Sequence, residues 1–219
     1  MYLYKHLESK YLLGFKDRGS IKINTLQNLR SDESVGDELE GLQKRVVAPG
    51  NQSLTFPSDK THNLSPMLRF QGYTPNALVV EAGGTFVSLY GVSDAYVFCT
   101  SLELNVKYWE QFGYDNVYKI ANPHKFSKLL YRKLNKIRGL KGLPQSGVVE
   151  YTDKEEYATN ISDVESISKP PKSLRDICFT KKKQFSIQTE FRMLFLPRNP
   201  YGIEPIVLSC PELRTCCEF

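Results

Sequence analysis

Histidine is scarce in this sequence, with three in 219 residues, and His6, His62 and His124 lie far from the cysteines. The five cysteines (Cys99, Cys178, Cys210, Cys216, Cys217) form an odd set without Cys-x-x-Cys spacing. A zinc site needs paired ligands at short spacing, so no metal is expected. Free thiols in a reducing compartment account for such a set. The same scarcity leaves a Ser/His/Asp or Cys/His hydrolase without its base, and neither Ser186 nor Ser209 sits in a Gly-x-Ser-x-Gly elbow. Gly83-Gly84 lacks the Gly-Lys-Ser/Thr ending of a phosphate loop. No apolar run approaches a membrane span. Lys5, Glu8 and Lys10 interrupt the N-terminal stretch where a secretory signal would need an apolar core. These absences point to a soluble, cytoplasmic protein with no membrane association.

A further absence is local. Between Asp115 and Glu150 there is no acidic residue, while the interval holds Lys119, Lys125, Lys128, Arg132, Lys133, Lys136, Arg138 and Lys141. A second basic cluster follows at Lys181–Lys183, and the acidic residues gather instead in SDESVGDELEG. The formal net charge is only +5, but its distribution favours a negatively charged partner.

What is present is ordinary globular material: 41% apolar and 24% charged residues, with 13 tyrosines and 12 phenylalanines that favour sheet. At this length one α+β domain with a real core is expected, spanning residues 1–219 with a polar surface excursion at about 31–65. One short helix is expected in that excursion, from about Asp37 to Val46. Strands are expected at Tyr2–Leu7, around Ile21 and Ile23, at Ala77–Glu81, Thr85–Tyr90 and Ala95–Thr100, at NVYKI, at VVEYTD and at IEPIVLSC. Helices are expected through Tyr11–Phe15 and over LELNVKYWEQFG, ending at Gly113. Lys154–Lys172 reads as helix or loop. The clearest helix is NPHKFSKLLYRKLNKIR: Asn122 is a natural N-cap, Pro123 fits the first turn, and Phe126, Leu129, Leu130, Leu134 and Ile137 make an apolar stripe. Opposite that stripe run Lys125, Lys128, Arg132 and Lys136 without acidic i,i+4 partners. A solvated face and a surface for an acidic partner, nucleic acid included, explain this equally well.

Phe185–Phe195, FSIQTEFRMLF, alternates like a half-buried strand, with Phe185, Ile187, Thr189, Phe191, Met193 and Phe195 on one face. Ser186, Gln188, Glu190 and Arg192 fall on the other. A wet face with Glu190 paired to Arg192 is one explanation, worth little energetically. The other is chemical, since Gln188-Thr189-Glu190 has the Gln-x-Glu spacing of the catalytic strand of mono-ADP-ribosyltransferases. Cleaving the nicotinamide–ribose bond of NAD develops positive charge on the ribose, which a carboxylate stabilises. A polar residue two positions earlier orients the incoming nucleophile.

Four stretches, in order, resemble a large, mostly bacterial family with no established activity. Its members read LYKY, then GxIrF with NDPFEg, then CFS with mWxhYa, then K followed by WxyExEyR. Here they read Leu3-Tyr4-Lys5-His6; Gly19-Ser20-Ile21-Lys22-Ile23 with Asp37-Glu38-Leu39-Glu40-Gly41; Phe98-Cys99-Thr100-Ser101 with Trp109-Glu110-Gln111-Phe112-Gly113; and Lys183 with Gln188-Thr189-Glu190-Phe191-Arg192. The Asn-Asp-Pro turn is absent, His6 stands for an aromatic residue, and Gln188 stands for the first Glu. The resemblance implies an ADP-ribosyltransferase-like fold of mixed or antiparallel sheets with peripheral helices.

It also implies NAD as substrate without a metal, and an enzyme that transfers ADP-ribose to an acidic or nucleic-acid-associated target, in a toxin, effector or phage-defence role. Glu190 would be catalytic and Gln188 would position the acceptor. Thr100 and Ser101 would support the NAD pocket, with Ser101 bracing Glu190. His6, or failing that Lys5, would hold NAD, with Arg192 beside them. Helix capping is the plainer role for Ser101. The alternative function is a non-catalytic sensor or regulator on the same scaffold that binds a nucleotide or nucleic acid.

Overall fold

The computed structural model describes residues 1–32, 37–48, 50–51, 53–57, 77–105, 107–152, 155–159 and 173–219. The fold is α+β and falls into two compact units, one of residues 1–40, 93–151 and 181–219, the other of residues 41–92 and 152–180.

The first unit is built on eight strands: β1 (Leu3–Leu7), β2 (Ser20–Thr25), β3 (Tyr96–Ser101), β4 (Asn116–Ile120), β5 (Gln145–Val148), β6 (Glu190–Phe195), β7 (Ile206–Ser209) and β8 (Cys217–Glu218). Their order is β7-β2-β3-β1-β4-β8, with β6 on the other edge of β3 and β5 outside β6, all antiparallel. Strand β3 is the hinge of this arrangement. Along one edge it pairs over its whole length with β6, from Tyr96↔Phe195 to Ser101↔Glu190. Along the other edge two strands share it: β2 at Tyr96 and Val97, and β1 at Ser101. Strands β1 and β2 therefore part company beside Phe98–Thr100, and the sheet splits there.

Helix α1 (Ser9–Arg18) buries Leu12 and Phe15, and Phe15 stacks on Tyr118 of β4 at 4.4 Å. It stops at Gly19, whose φ of 63° suits a residue without Cβ. A Cβ at that point would collide with the Cys210 carbonyl, so only glycine lets α1 turn straight into β2. A short helix α2 (Leu26–Arg30) follows β2, capped by the Thr25 hydroxyl. Helix α3 (Lys107–Phe112) is shorter than its sequence suggested, and ends at Gly113 as expected.

Helix α4 (Pro123–Arg138) forms as its sequence dictates. The Asn122 side chain accepts from the Lys125 amide at 3.0 Å, Pro123 fills the first turn, and Gly139 ends the helix with φ 62°. Phe126, Leu130 and Leu134 are fully buried, each contributing roughly 1.5–3 kcal/mol, and Phe126 stacks on Phe98 of β3. Ile137, the last of the expected stripe, stays exposed.

In the second unit, Leu42–Val47 is the middle strand of three, antiparallel to Phe86–Gly91 and parallel to Glu155–Ala158. Leu54–Pro57 pairs with Ala77–Val80, and a five-residue helix, Leu174–Cys178, starts from a reciprocal Ser173–Asp176 cap. The helix expected at Asp37–Val46 is not formed. Gly41 takes φ 65°, which breaks a helix, and pairing on both edges draws the β-branched Val46 and Val47 into a strand. The segment at 31–65 thus carries two strands, and Asp37, Leu39 and Glu40 are buried in the first unit. The expected strand VVEYTD is interrupted at Val149, whose amide donates to the Glu190 carbonyl at 2.9 Å. Most of Lys154–Lys172 lies outside the described residues.

Candidate functional site

The stretch Phe185–Phe195 is not one strand. Lys183–Gln188 is a 3-10 turn, Thr189 sits at φ 37° and ψ 50°, and the strand starts only at Glu190. Gln188 and Glu190 therefore do not share a strand face. Lys181 Nζ donates to Gln188 Oε1 at 2.6 Å, across the turn, and so holds it closed. A β-branched residue in left-handed conformation costs on the order of 1–2 kcal/mol. Thr189 is fixed there because its hydroxyl meets Ser101 Oγ at 2.8 Å and its carbonyl accepts from the Leu102 amide at 2.8 Å.

Both faces of β6 are buried. Phe191, Met193 and Phe195 join the apolar core, and Glu190 and Arg192 point the other way into a closed cluster. The wet face that alternation predicts is absent here, because that face is covered by Glu40, Lys181 and Gln188. Arg192 grips Glu40 with both terminal nitrogens, at 2.7 and 2.8 Å, and Glu190 Oε1 with Nε at 2.6 Å. Lys181 Nζ reaches Glu190 Oε2 at 3.3 Å. Two carboxylates and two cations, none above 4% exposed, balance to zero net charge. Burial opposes ionisation of Glu190, but Arg192 and then Lys181 overcome it and hold its carboxyl far below the usual carboxylate range. Glu40 is delivered by a tight turn in which the buried Asp37 accepts from the Leu39 and Lys182 amides. The Arg30 guanidinium holds the Glu40 carbonyl at 2.7 Å.

Where β1 and β2 diverge from β3, a cleft opens. Its wall includes Lys5 and His6 of β1, Lys22 and Asn24 of β2, Cys99, Thr100 and Ser101 of β3, and Tyr114, Lys181, Gln188 and Glu190. Its enclosed part is about 90 Å³, room for a group of phosphate or ribose size. The split also explains the position of Lys5. Its Nζ donates to the Cys99 carbonyl at 2.9 Å and stands 5.0 Å from the Phe98 ring. Burial lowers the Lys5 pKa, with Cys99 and Glu190 acting against that shift. Burial likewise lowers His6, so that its imidazole favours the neutral form. The Cys99 thiol is pushed up by burial and then by the nearby Glu190 carboxylate, which disfavours its thiolate. Tyr114 is pushed up to about 12, chiefly by burial. The cleft thus carries Lys5 and Lys22 beside a cluster, Lys181 and Glu190 included, whose own charges cancel.

Six of the residues singled out in the sequence meet at this cleft: Lys5, His6, Thr100, Ser101, Gln188 and Glu190. Arg192 does not reach it; it is fully buried behind Glu190. Ser101 does not brace Glu190 through its hydroxyl, which bonds Thr189 and accepts from the Glu103 amide at 3.2 Å instead. Thr100 Oγ1 donates to the Phe191 carbonyl at 3.0 Å and locks β3 to β6. Lys125, Lys128, Arg132 and Lys136 stand exposed on α4. Sequence reasoning gave no role at this site to Glu40, Lys22, Lys181 or Tyr114. Glu40 and Lys181 were hidden within runs of like charge, where pattern alone marks a solvated face. Among the described residues no cluster of His, Cys, Asp and Glu has the make-up of a metal site. Comparison with known proteins finds no matching family model, curated protein or solved structure.

Proposed function

We propose that the chain is an ADP-ribosyltransferase-like protein that binds NAD at the split of its large sheet. The observation that carries this reading is that Lys5, from a strand far away in sequence, meets Gln188 and Glu190 at one cleft. Lys5 and Lys22 supply the positive charge that a pyrophosphate requires, while Lys181 stays engaged by Gln188 and Glu190. The enclosed part takes one ribose- or phosphate-sized group, and the remainder of the dinucleotide extends through the open mouth. Glu190, ionised at neutral pH, is the acceptor for a ribose hydroxyl and stabilises charge developing on the sugar. Because Arg192 and Lys181 depress its basicity, it acts as an electrostatic stabiliser and not as a base.

A second reading is nucleotide binding without cleavage. One observation favours it: both Glu190 oxygens already accept from Arg192 or Lys181, and the surrounding cations welcome a bound anion more than a developing ribose cation. Nicotinamide release from NAD by the purified protein, alongside NAD titration calorimetry, separates the two. Release that disappears in Glu190→Gln supports transfer or hydrolysis, and release dependent on cell lysate identifies transfer. Binding of NAD without release, lost in Lys5→Met, supports the sensor. Failure to bind NAD sinks both.

A further inference from the structure

A second concavity lies on the opposite side of β6, away from Glu190. It is a cleft of about 510 Å³ where the first half of α4 faces β5 and β6. Its wall includes His124, Lys128 and Tyr131 of α4, Leu143 and Ser146 beside and on β5, and Met193 of β6. Volume and lining are those of a small-molecule pocket: mostly apolar, with the rings of His124, Tyr131 and Phe191 and a few polar tips.

The helix explains why this cleft adjoins the basic stripe. At 100° per residue, Phe126, Leu130 and Leu134 point to the core. His124, Lys128 and Tyr131 lie about a quarter-turn or more to one side, and Lys125, Arg132 and Lys136 lie beyond them. Lys128 belongs to both lines. All four cations are exposed, and α4 contains no acidic residue. Lys125 Nζ also donates to Thr215 Oγ1 at 3.1 Å.

We infer that this face binds a single-stranded nucleic acid, with phosphates along Lys125, Lys128, Arg132 and Lys136 and one unstacked base in the cleft against Tyr131. A cationic track beside an aromatic pocket is the combination that single strands need, since each base offers a flat apolar face to a ring while its phosphate stays at the rim. A paired duplex hides its bases and could use only the track. This site is independent of the NAD reading, which concerns the other face of β6.

The test is fluorescence anisotropy of the full chain with a labelled single-stranded oligothymidine and a duplex of the same length, over a salt series. The single strand should bind roughly ten-fold tighter than the duplex, with affinity falling steeply as salt rises. Lys128→Gln with Arg132→Gln should weaken both ligands and flatten the salt slope by about one unit per cation removed. Tyr131→Leu should weaken the single strand alone, by about ten-fold, and Tyr131→Phe should restore it. Equal binding of strand and duplex, indifferent to Tyr131→Leu, would overturn the base pocket. No binding of either, or equal binding of heparin, would overturn nucleic-acid recognition altogether.

Discussion

Strand β6 and helix α4 are both rich in charge, and the two regions hold it in opposite ways. Around β6, Glu190 and Arg192 are enclosed with Glu40 and Lys181, every charge meeting its opposite at hydrogen-bond distance. On α4, Lys125, Lys128, Arg132, Lys136 and Arg138 are exposed and no acidic residue of the helix answers them. The cluster needs the fold, since its members come from a turn before residue 41 and from residues 181–192. The helix needs none of its cations, because its cap and apolar stripe suffice. Charge that closes on itself specifies structure; charge left open is available to a partner.

The sharpest way to break this contrast is Arg192→Ala. Removing the guanidinium leaves Glu40 and Glu190 buried beside a single lysine, and loss of one partner from a buried network costs about 3–5 kcal/mol. Urea unfolding measures it. A four-fold variant, Glu40→Leu, Lys181→Met, Glu190→Leu and Arg192→Met, removes every charge at once. Its destabilisation should be smaller than that of Arg192→Ala alone, since no unpaired charge stays behind. Additive losses would mean that each ion pair is favourable on its own account.

The same contrast explains what could be read in the sequence. Helix α4 was legible to its cap because Asn122, Pro123 and the stripe act within a few residues of one another. Strands β1, β2, β3 and β4 were legible for similar reasons. The gathering of Lys5, Gln188 and Glu190 was signalled only through the ordered stretches they belong to. The 3-10 turn at Lys183–Gln188 could not be read, because Lys181 closes it from outside any local pattern. Nor could the split between β1 and β2, which depends on how β3 divides one edge between two strands.

A smaller effect concerns acid. Glu190 has its folded pKa depressed, so the stability it contributes is fully present above the unfolded value of about 4.3 and is lost as pH falls toward the folded value. Glu190→Gln should therefore lower stability by on the order of 2 kcal/mol at neutral pH, with the gap to wild type narrowing below about pH 4. Unfolding midpoints from neutral to acidic pH give the two curves. Parallel curves would place Glu190 outside the ion-pair network in solution.

The smallest change is expected on α4, at Lys136→Ala. Lys136 has Arg132 and Lys133 as helical neighbours one turn earlier, so its removal relieves repulsion and brings in the better helix former. Against this, a cation in the last turn interacts favourably with the helix dipole, by about 0.3–1 kcal/mol. The contributions offset, and the net change should fall within about 0.5 kcal/mol. Added salt should narrow even that, since these charges are exposed and screened over about 8–10 Å. Thermal unfolding across a salt series measures it. A salt-independent loss above about 1 kcal/mol would show that Lys136 is held by the fold, and the open face of α4 would then belong with the closed cluster of β6.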